Sequence, residues 1–250
     1  MATDLIQFDR VVAGYGGLTV LNGLSFAARA GEITLLIGPN GAGKSTALKT
    51  LFGLLAPSSG EIRFEGRSIS GHAPRALLAA GIAFVPQGRN LFPSLSVLHN
   101  LELGGITLPR GELAPRIEDV LQRFPRLAER ADNQASTLSG GEQKQLEIGR
   151  ALLLRPRVIL IDEPSIGLSP RISRDVFQLL RQLASGGTTV LMVEQNVRSA
   201  LAVSDRAVAL EGGRVALERP ASELLHDPDL NRLFLGGAAP AARPRAGGAA

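Results

Sequence analysis

Residues Gly38 to Thr46 read GPNGAGKST. Gly38, Gly43, Lys44 and Ser45 satisfy the spacing G-x-x-x-x-G-K-[ST]. Glycines let backbone N–H groups approach phosphate oxygens that a side chain would keep away. Lys44 can carry its ammonium to a β- or γ-phosphate, and the Ser45 hydroxyl can ligate Mg²⁺. The pattern predicts a nucleoside triphosphate site rather than an idle glycine turn. A second stretch, RVILIDEP, ends an apolar run in two adjacent carboxylates, Asp162 and Glu163. Asp162 is expected to hold Mg²⁺, directly or through water. Glu163 is expected to orient or deprotonate an attacking water. A third, VLMVEQN at 190–196, runs from four apolar residues into Glu194, Gln195 and Asn196. Ligands of open α/β sheets bind outside the carboxyl ends of strands, so Gln195 becomes a candidate contact.

These residues need strands that stop beside one another and helices that start there. GEITLLIG reads as a buried strand before the glycine loop, and KSTALKTLFGLL as the helix after it, with its positive end toward the anion. LIQFDRVV and the stretch around LSFAA read as early strands. GEIRFEG alternates like a half-buried strand. PRALLAAG is a short helix opened by proline, and IAFVPQ a strand stopped by one. From about Gly88 to Arg155 the pattern is mostly helical, an insertion between sheet strands. RVILID and TTVLMVE return as buried strands. Between them, Ile172, Val176, Leu179, Leu180 and Leu183 share one helical face. RAVALEGGRVALE reads as a hairpin around Gly212 and Gly213. Alternating strands and helices predict a mainly parallel α/β sheet. The absence of an internal repeat predicts one cassette.

The 250 residues suffice for a sizeable core. No run approaches the roughly 18 apolar residues of a bilayer span. MATDLIQFDRVV lacks a basic segment followed by a long apolar one, so no secretory leader is expected. Without cysteine there are no disulfides or thiolate metal sites. The net charge of +4 comes without a dense Lys/Arg block, so a solvated surface is expected and no nucleic-acid partner. GGAAPAARPRAGGAA, at the end of the chain, reads as a disordered tail over 237–250.

The most specific stretch is TLSGGEQKQLEIGRALLLRP, with LSGGEQ at Leu138–Gln143 just before the Asp–Glu strand. It resembles the signature of the ATP-binding subunits of ABC transporters, and the similarity extends to about residue 236. The resemblance implies a P-loop NTPase (RecA-like) fold: a mainly parallel sheet, an N-terminal antiparallel β-subdomain and a helical subdomain at roughly 88–155. It implies ATP and Mg²⁺ as ligands. Gly38, Asn40, Gly41, Gly43, Lys44, Ser45 and Thr46 match the phosphate loop. Gln87 matches the glutamine loop that senses Mg²⁺ and the transport partner. Ser139, Gly140 and Gly141 match the signature that caps the γ-phosphate of a second copy's ATP. Asp162 and Glu163 take the Mg²⁺ and base positions. Tyr15, the only tyrosine, matches the aromatic that stacks on adenine; a strand-edge surface residue is the other reading. Physically, the Ser139 hydroxyl, two exposed glycine N–H groups and a helix start make an anion clamp. A second ATPase subunit, head to tail, is therefore implied.

VPQGRNLFPSLSVLHNLELG, DEPSIGLSP, VEQN and LFLGG resemble one importer branch, the LivF-type ATPases of branched-chain amino-acid importers. ATPases of urea or short-amide importers are very similar. The branch implies two membrane permease subunits, a solute-binding protein upstream and a peripheral position on the cytoplasmic face of the membrane. The helical insertion around Gly88–Asp132 is expected to dock the permease, with residues near Gln87 and Arg89–Ser96 in the interface. Two positions depart from the wider family: Ser169 stands for a common aspartate and Gln195 for a common histidine, and both replacements occur in this branch. None of the three histidines, His72, His99 and His226, lies in a comparable stretch. Gln195 is expected beside the γ-phosphate; capping the next helix is the alternative. A DNA-maintenance ATPase would need long coiled-coil arms, but roughly ninety residues separate Lys44 from Leu138 without sustained heptads. A translation-associated member would carry two cassettes, and a small-molecule kinase would lack LSGGEQ.

Overall fold

The computed structural model describes residues 4–227, except 89 and 110. The expected tail at 237–250 and the LFLGG stretch lie outside the described residues. The chain opens with two long antiparallel strands, β1 (Asp4–Tyr15) and β2 (Leu18–Arg29), which turn at Gly16–Gly17. Strand β3 (Ile33–Ile37) leads through the glycine loop into α1 (Lys44–Leu51). Strands β4 (Ser59–Phe64) and β5 (Arg67–Ser68) return to pair beside β1. They complete an antiparallel sheet of order β2-β1-β4-β5. Helix α2 (Pro74–Ala79) precedes β6 (Ile82–Val85).

A mostly helical stretch follows: α3 (Val97–Gly104), α4 (Leu113–Arg123), α5 (Pro125–Ala128) and α6 (Gly140–Leu152), with a 3₁₀ turn at Ala135–Thr137. Then come β7 (Val158–Asp162), α7 (Pro170–Ser185), β8 (Thr189–Val193) and α8 (Val197–Leu201). The described chain closes with β9 (Arg206–Glu211), β10 (Arg214–Pro220) and α9 (Ala221–Leu225).

The second sheet has the order β10-β9-β3-β8-β7-β6. Every pairing in it is parallel except β10 with β9. Strands β3, β7 and β8 are buried along their whole length because both faces are covered. Strand alternation splits the core. Ile33, Leu35 and Ile37 face one way, with Val176, Phe177 and Leu180 of α7. Leu36 faces the other way, with Leu48 of α1 and with Phe8 and Leu21 of the antiparallel sheet.

Three local expectations shift. The first helix stops at Leu51 rather than running through Leu55, because Gly53 adopts a φ of +72° and breaks the helix. Strand β2 starts at Leu18, well before LSFAA, because β1 continues opposite it to Tyr15. On α7 the buried face centres on Val176, Phe177, Leu180 and Leu183, while Ile172 and Leu179 are only half-buried. Phe177 is 1% exposed and contributes roughly 2 kcal/mol by burial. The β9–β10 hairpin turns on Gly212 and Gly213, both at positive φ as its two-residue turn requires. That turn docks on β2: Asn22 donates from its backbone to Gly213 O at 3.0 Å and from its side chain to Gly212 O at 2.8 Å.

Candidate active site

Neighbouring strands β3, β8, β7 and β6 all end on the same edge of the parallel sheet. Their carboxyl ends deliver Gly38 and the glycine loop, Glu194–Gln195, Asp162–Glu163 and Pro86–Gln87. Residues far apart in the chain therefore meet in one place.

The glycine loop needs its glycines. Gly38 has a φ of +143°, and a Cβ there would lie 2.2 Å from the Leu210 carbonyl oxygen. Gly43, which begins α1, has a φ of +102° and abuts Leu21. Asn40 and Gly41 are exposed at the loop's crest, and Thr46 is buried in the first turn of α1. Lys44 is 7% exposed, and its Nζ donates to Gly38 O at 2.8 Å and Pro39 O at 3.0 Å. Burial pulls the Lys44 ammonium below its usual pKa, partly offset by the charges of Glu163 and Asp162. A desolvated cation beside a glycine loop and the start of α1 is arranged to receive an anion.

Ser45 Oγ donates to Asp162 Oδ1 at 3.0 Å. Burial raises the Asp162 pKa; the Ser45 hydrogen bond opposes this and the Glu163 charge adds to it. Hydroxyl and carboxylate form an oxygen donor set, the kind a hard dication takes. Among the described residues no cluster of three or more Asp, Glu or His side chains could cage a metal alone. A cation here would take its other ligands from water and phosphate, the usual situation of Mg²⁺.

The raised Asp162 pKa has a signed consequence. Between the unfolded and folded pKa values the native state binds more protons than the unfolded one, so stability falls as pH rises through that window. At neutral pH the ionised carboxylate is a cost to the ligand-free fold. Asp162→Asn should therefore melt no lower than wild type at pH 7 without nucleotide, and the advantage should vanish in acid. Hydrolysis with Mg²⁺ should drop on the order of a hundredfold or more. Thermal melts across pH check the first part; a lower melting temperature at pH 7 would refute it.

Glu163 is the centre of the site. Its φ of +49° is left-handed, which costs a non-glycine residue roughly 1 kcal/mol and is held by its N–H bond to Val193 O at 2.9 Å. Its carboxylate is buried, and each oxygen accepts from a different amide. Gln195 Nε2 donates to Oε1 at 2.6 Å, and Gln87 Nε2 to Oε2 at 2.7 Å. The Gln87 carbonyl oxygen remains as a ligand atom for a cation. The helix-cap reading of Gln195 fails, because α8 is capped at Asn196 and has no side-chain cap.

The signature residues are not brought to this site. Ser139 is the exposed N-cap of α6, in a capping box with Glu142. Burial alone would raise the Glu142 carboxyl; hydrogen bonds from the Ser139 N–H and hydroxyl, with Arg130 and Arg126 nearby, outweigh it and hold the pKa below its usual value. Gly140 lies against Leu168, and a Cβ on Gly141 would lie 2.5 Å from Ile172 Cγ2. Close packing on α7 thus gives Gly141 a second reason to be glycine. Among the described residues no hydrogen bond joins Ser139, Gly140 or Gly141 to the glycine loop. Tyr15 sits at the tip of the β1–β2 hairpin, 46% exposed and free to stack.

Two features escape the motifs. Glu194 is buried at the end of β8 and accepts three backbone N–H bonds. Its only signal in the sequence is a carboxylate directly after a buried strand. On α6, Glu147 accepts from Asn90 N at 2.9 Å while Arg150 donates to Asn90 O at 2.5 Å. The loop after Gln87 is thereby clamped to the signature helix. Lys144 pairs with Glu147 in the interior.

The profile of the ABC transporter family matches residues 21–166. The high-affinity branched-chain amino acid transport ATP-binding protein BraG of Pseudomonas aeruginosa is 43% identical over 93% of this chain and 100% of its own. The probable branched-chain amino acid transport ATP-binding protein LivF of Archaeoglobus fulgidus is 38% identical over 93% of this chain and 99% of its own. The ADP conformation of MJ1267, an ATP-binding cassette of an ABC transporter, superposes with a TM-score of 0.85 at 28% identity, covering 94% of this chain and 100% of that one. With the nucleotide loop, the acid pair and the exposed signature in one fold, the chain belongs to the ABC transporter family as an ATP-hydrolysing cassette.

Proposed function

We propose that this chain is the ATPase subunit of an importer for branched-chain amino acids. One observation carries the catalytic part: both oxygens of Glu163 are held by amides from flanking strand ends, beside the Ser45–Asp162 pair. The α1 N-terminus, the loop N–H groups and Lys44 bind the triphosphate. Bound Mg²⁺, on Ser45, Asp162 and Gln87, would neutralise phosphate charge. Glu163 takes the proton of a water whose oxygen attacks the γ-phosphorus, and ADP leaves. Tyr15 stacks on adenine. Ser139 and Gly140 are exposed and, with the Gly141 backbone beside them, complete the site of a second ATPase subunit, an identical or sibling chain, placed head to tail. The cassette occupies about 1–236, with 88–155 as its helical part.

The likeness to BraG and LivF along their whole lengths supports the transported class. No helix among the described residues is long and apolar enough to cross a membrane. The reading assigns the crossing to two permease subunits, fed by a solute-binding protein, with this chain on the cytoplasmic face. A groove of about 270 Å³ between the end of β6 and α6, lined by Leu78, Phe84, Pro86, Asn90 and Arg150, suits a permease segment. Proteoliposomes holding permeases, binding protein and this chain should take up labelled leucine only with ATP. Cross-links from the permease should map near Gln87 and residues 90–96. Uptake of urea but not leucine would overturn the substrate class, and cross-links confined to Arg206–Glu223 would overturn the docking face.

Gln195 sets the tempo in this reading. An amide donates to Glu163 or to a phosphate oxygen but cannot become a cation, as histidine can. The isolated subunit should turn over slowly, with a histidine-bearing sibling supplying the faster site. Gln195→Ala should lower hydrolysis on the order of tenfold with ATP binding kept, and Gln195→His should keep or raise the rate. Steady-state assays of the isolated and assembled protein check this. Fast hydrolysis by the isolated subunit, unchanged in Gln195→Ala, would remove Gln195 from the chemistry.

A further inference from the structure

We propose that Glu194 is a positioning residue for ATP hydrolysis, a buried strap that holds the strand end bearing Gln195 against the one bearing Glu163. Glu194 follows the last residue of β8 and is 2% exposed. One carboxylate oxygen accepts the Ser165 N–H at 2.7 Å. The other accepts the N–H groups of Gln195 at 2.9 Å and Asn196 at 3.0 Å. No lysine or arginine pairs with it among the described residues. A buried carboxylate without a cation is costly unless hydrogen bonds satisfy it. Charge-assisted bonds from backbone N–H groups are strong enough to do so.

The three donors are not scattered. Two belong to the turn that carries Gln195, and the third lies two residues beyond Glu163. Gln195 Nε2 in turn donates to Glu163 Oε1. The contacts close a ring: Glu163 to Gln195 through side chains, Gln195 to Glu194 through a backbone N–H, and Glu194 to Ser165, back beside Glu163. This ring borders a recess of about 320 Å³ that Glu163, Leu168 and Arg174 also line. The residue type follows from the donors. All three partners donate, so the group must accept through both oxygens. A glutamine would turn its NH₂ toward at least one N–H. An aspartate, one methylene shorter, would keep the adjacent turn and withdraw from Ser165. Misplacing a reacting group by about 1 Å costs on the order of a hundredfold in rate.

The inference rests on the reading of Glu163 as base with Gln195 beside it. The test is a double-mutant cycle in the full chain. Single-turnover hydrolysis, ATP affinity and thermal melting are measured for Glu194→Gln, Gln195→Ala and the double variant. Glu194→Gln should lower the rate constant by roughly tenfold, no more than the loss of Gln195 itself, and leave the ATP Kd within about threefold. In the Gln195→Ala background the same change should cost no more than about threefold, because the ring is already open. An equal loss in both backgrounds, an unchanged rate, or a Kd that rises as much as the rate falls would overturn the proposal. Should Glu194→Gln fail to fold, Glu194→Asp keeps the charge and should show the same non-additivity; additive losses there overturn the proposal equally. Gln195→Ala alone separates the two ideas. If it leaves the rate intact, the site reading fails. If it lowers the rate while Glu194→Gln does not, only the strap fails.

Discussion

Lys44→Ala should weaken ATP binding at least about a hundredfold while leaving the fold intact. Charge-assisted hydrogen bonds contribute roughly 1.5–3 kcal/mol each, and one ammonium reaching two phosphates makes at least two. The contacts of Lys44 show why little else would suffer. Among the described residues Lys44 Nζ is bound to Gly38 O and Pro39 O, two carbonyls that water can serve after the truncation. Its charge is already disfavoured by burial, so removing it relieves a cost in the apo state. Lys44→Arg should fail as well, because a site that leaves the side chain 7% exposed has no room for a guanidinium fork. Titration with a fluorescent nucleotide, beside a thermal melt, decides the matter. A Kd within threefold of wild type would show that the triphosphate is held elsewhere.

Glu163→Gln should stop turnover by about a thousandfold with ATP affinity unchanged. General-base catalysis is worth about 10²- to 10⁴-fold, and an amide cannot take the proton. The geometry adds a consequence. Gln87 and Gln195 both donate to Glu163, so an amide at 163 points its NH₂ at one of these donors. That neighbour must rotate its own amide to offer oxygen. The rotation is cheap, since both glutamines are exposed, and the ring of contacts survives. The variant should then accumulate as an ATP-bound closed dimer, visible as a doubled mass on size-exclusion chromatography. Hydrolysis at the wild-type rate would show that Glu163 is not the base.

What the chain determines by itself is local. GPNGAGKST is legible because a glycine turn, a lysine and a helix start lie within nine contiguous residues. The apolar runs of β3, β7 and β8 show as strands because buried parallel strands need no alternation. The Gly212–Gly213 hairpin shows because a two-residue turn demands positive φ. LSGGEQ is legible through resemblance, and the fold adds the capping box at Ser139 and the packing of Gly141 on Ile172.

Sheet order is what only the tertiary structure decides. Strand β8 inserts between β3 and β7, so Gln195 reaches Glu163 across 32 residues, and β6 flanks β7 on its other side, so Gln87 reaches it across 76. Strand periodicity says which residues are buried, not which strand lies beside which. Glu163 was legible as an acid at a strand end, whereas its left-handed backbone depends on the Val193 carbonyl of the neighbouring strand. Glu194 was visible only as a charge after an apolar run. That it serves three N–H groups, one of them 29 residues away, follows from two strand ends meeting at one edge. Hydrogen bonds of this length in sequence are properties of the packed sheet, and no local pattern encodes them.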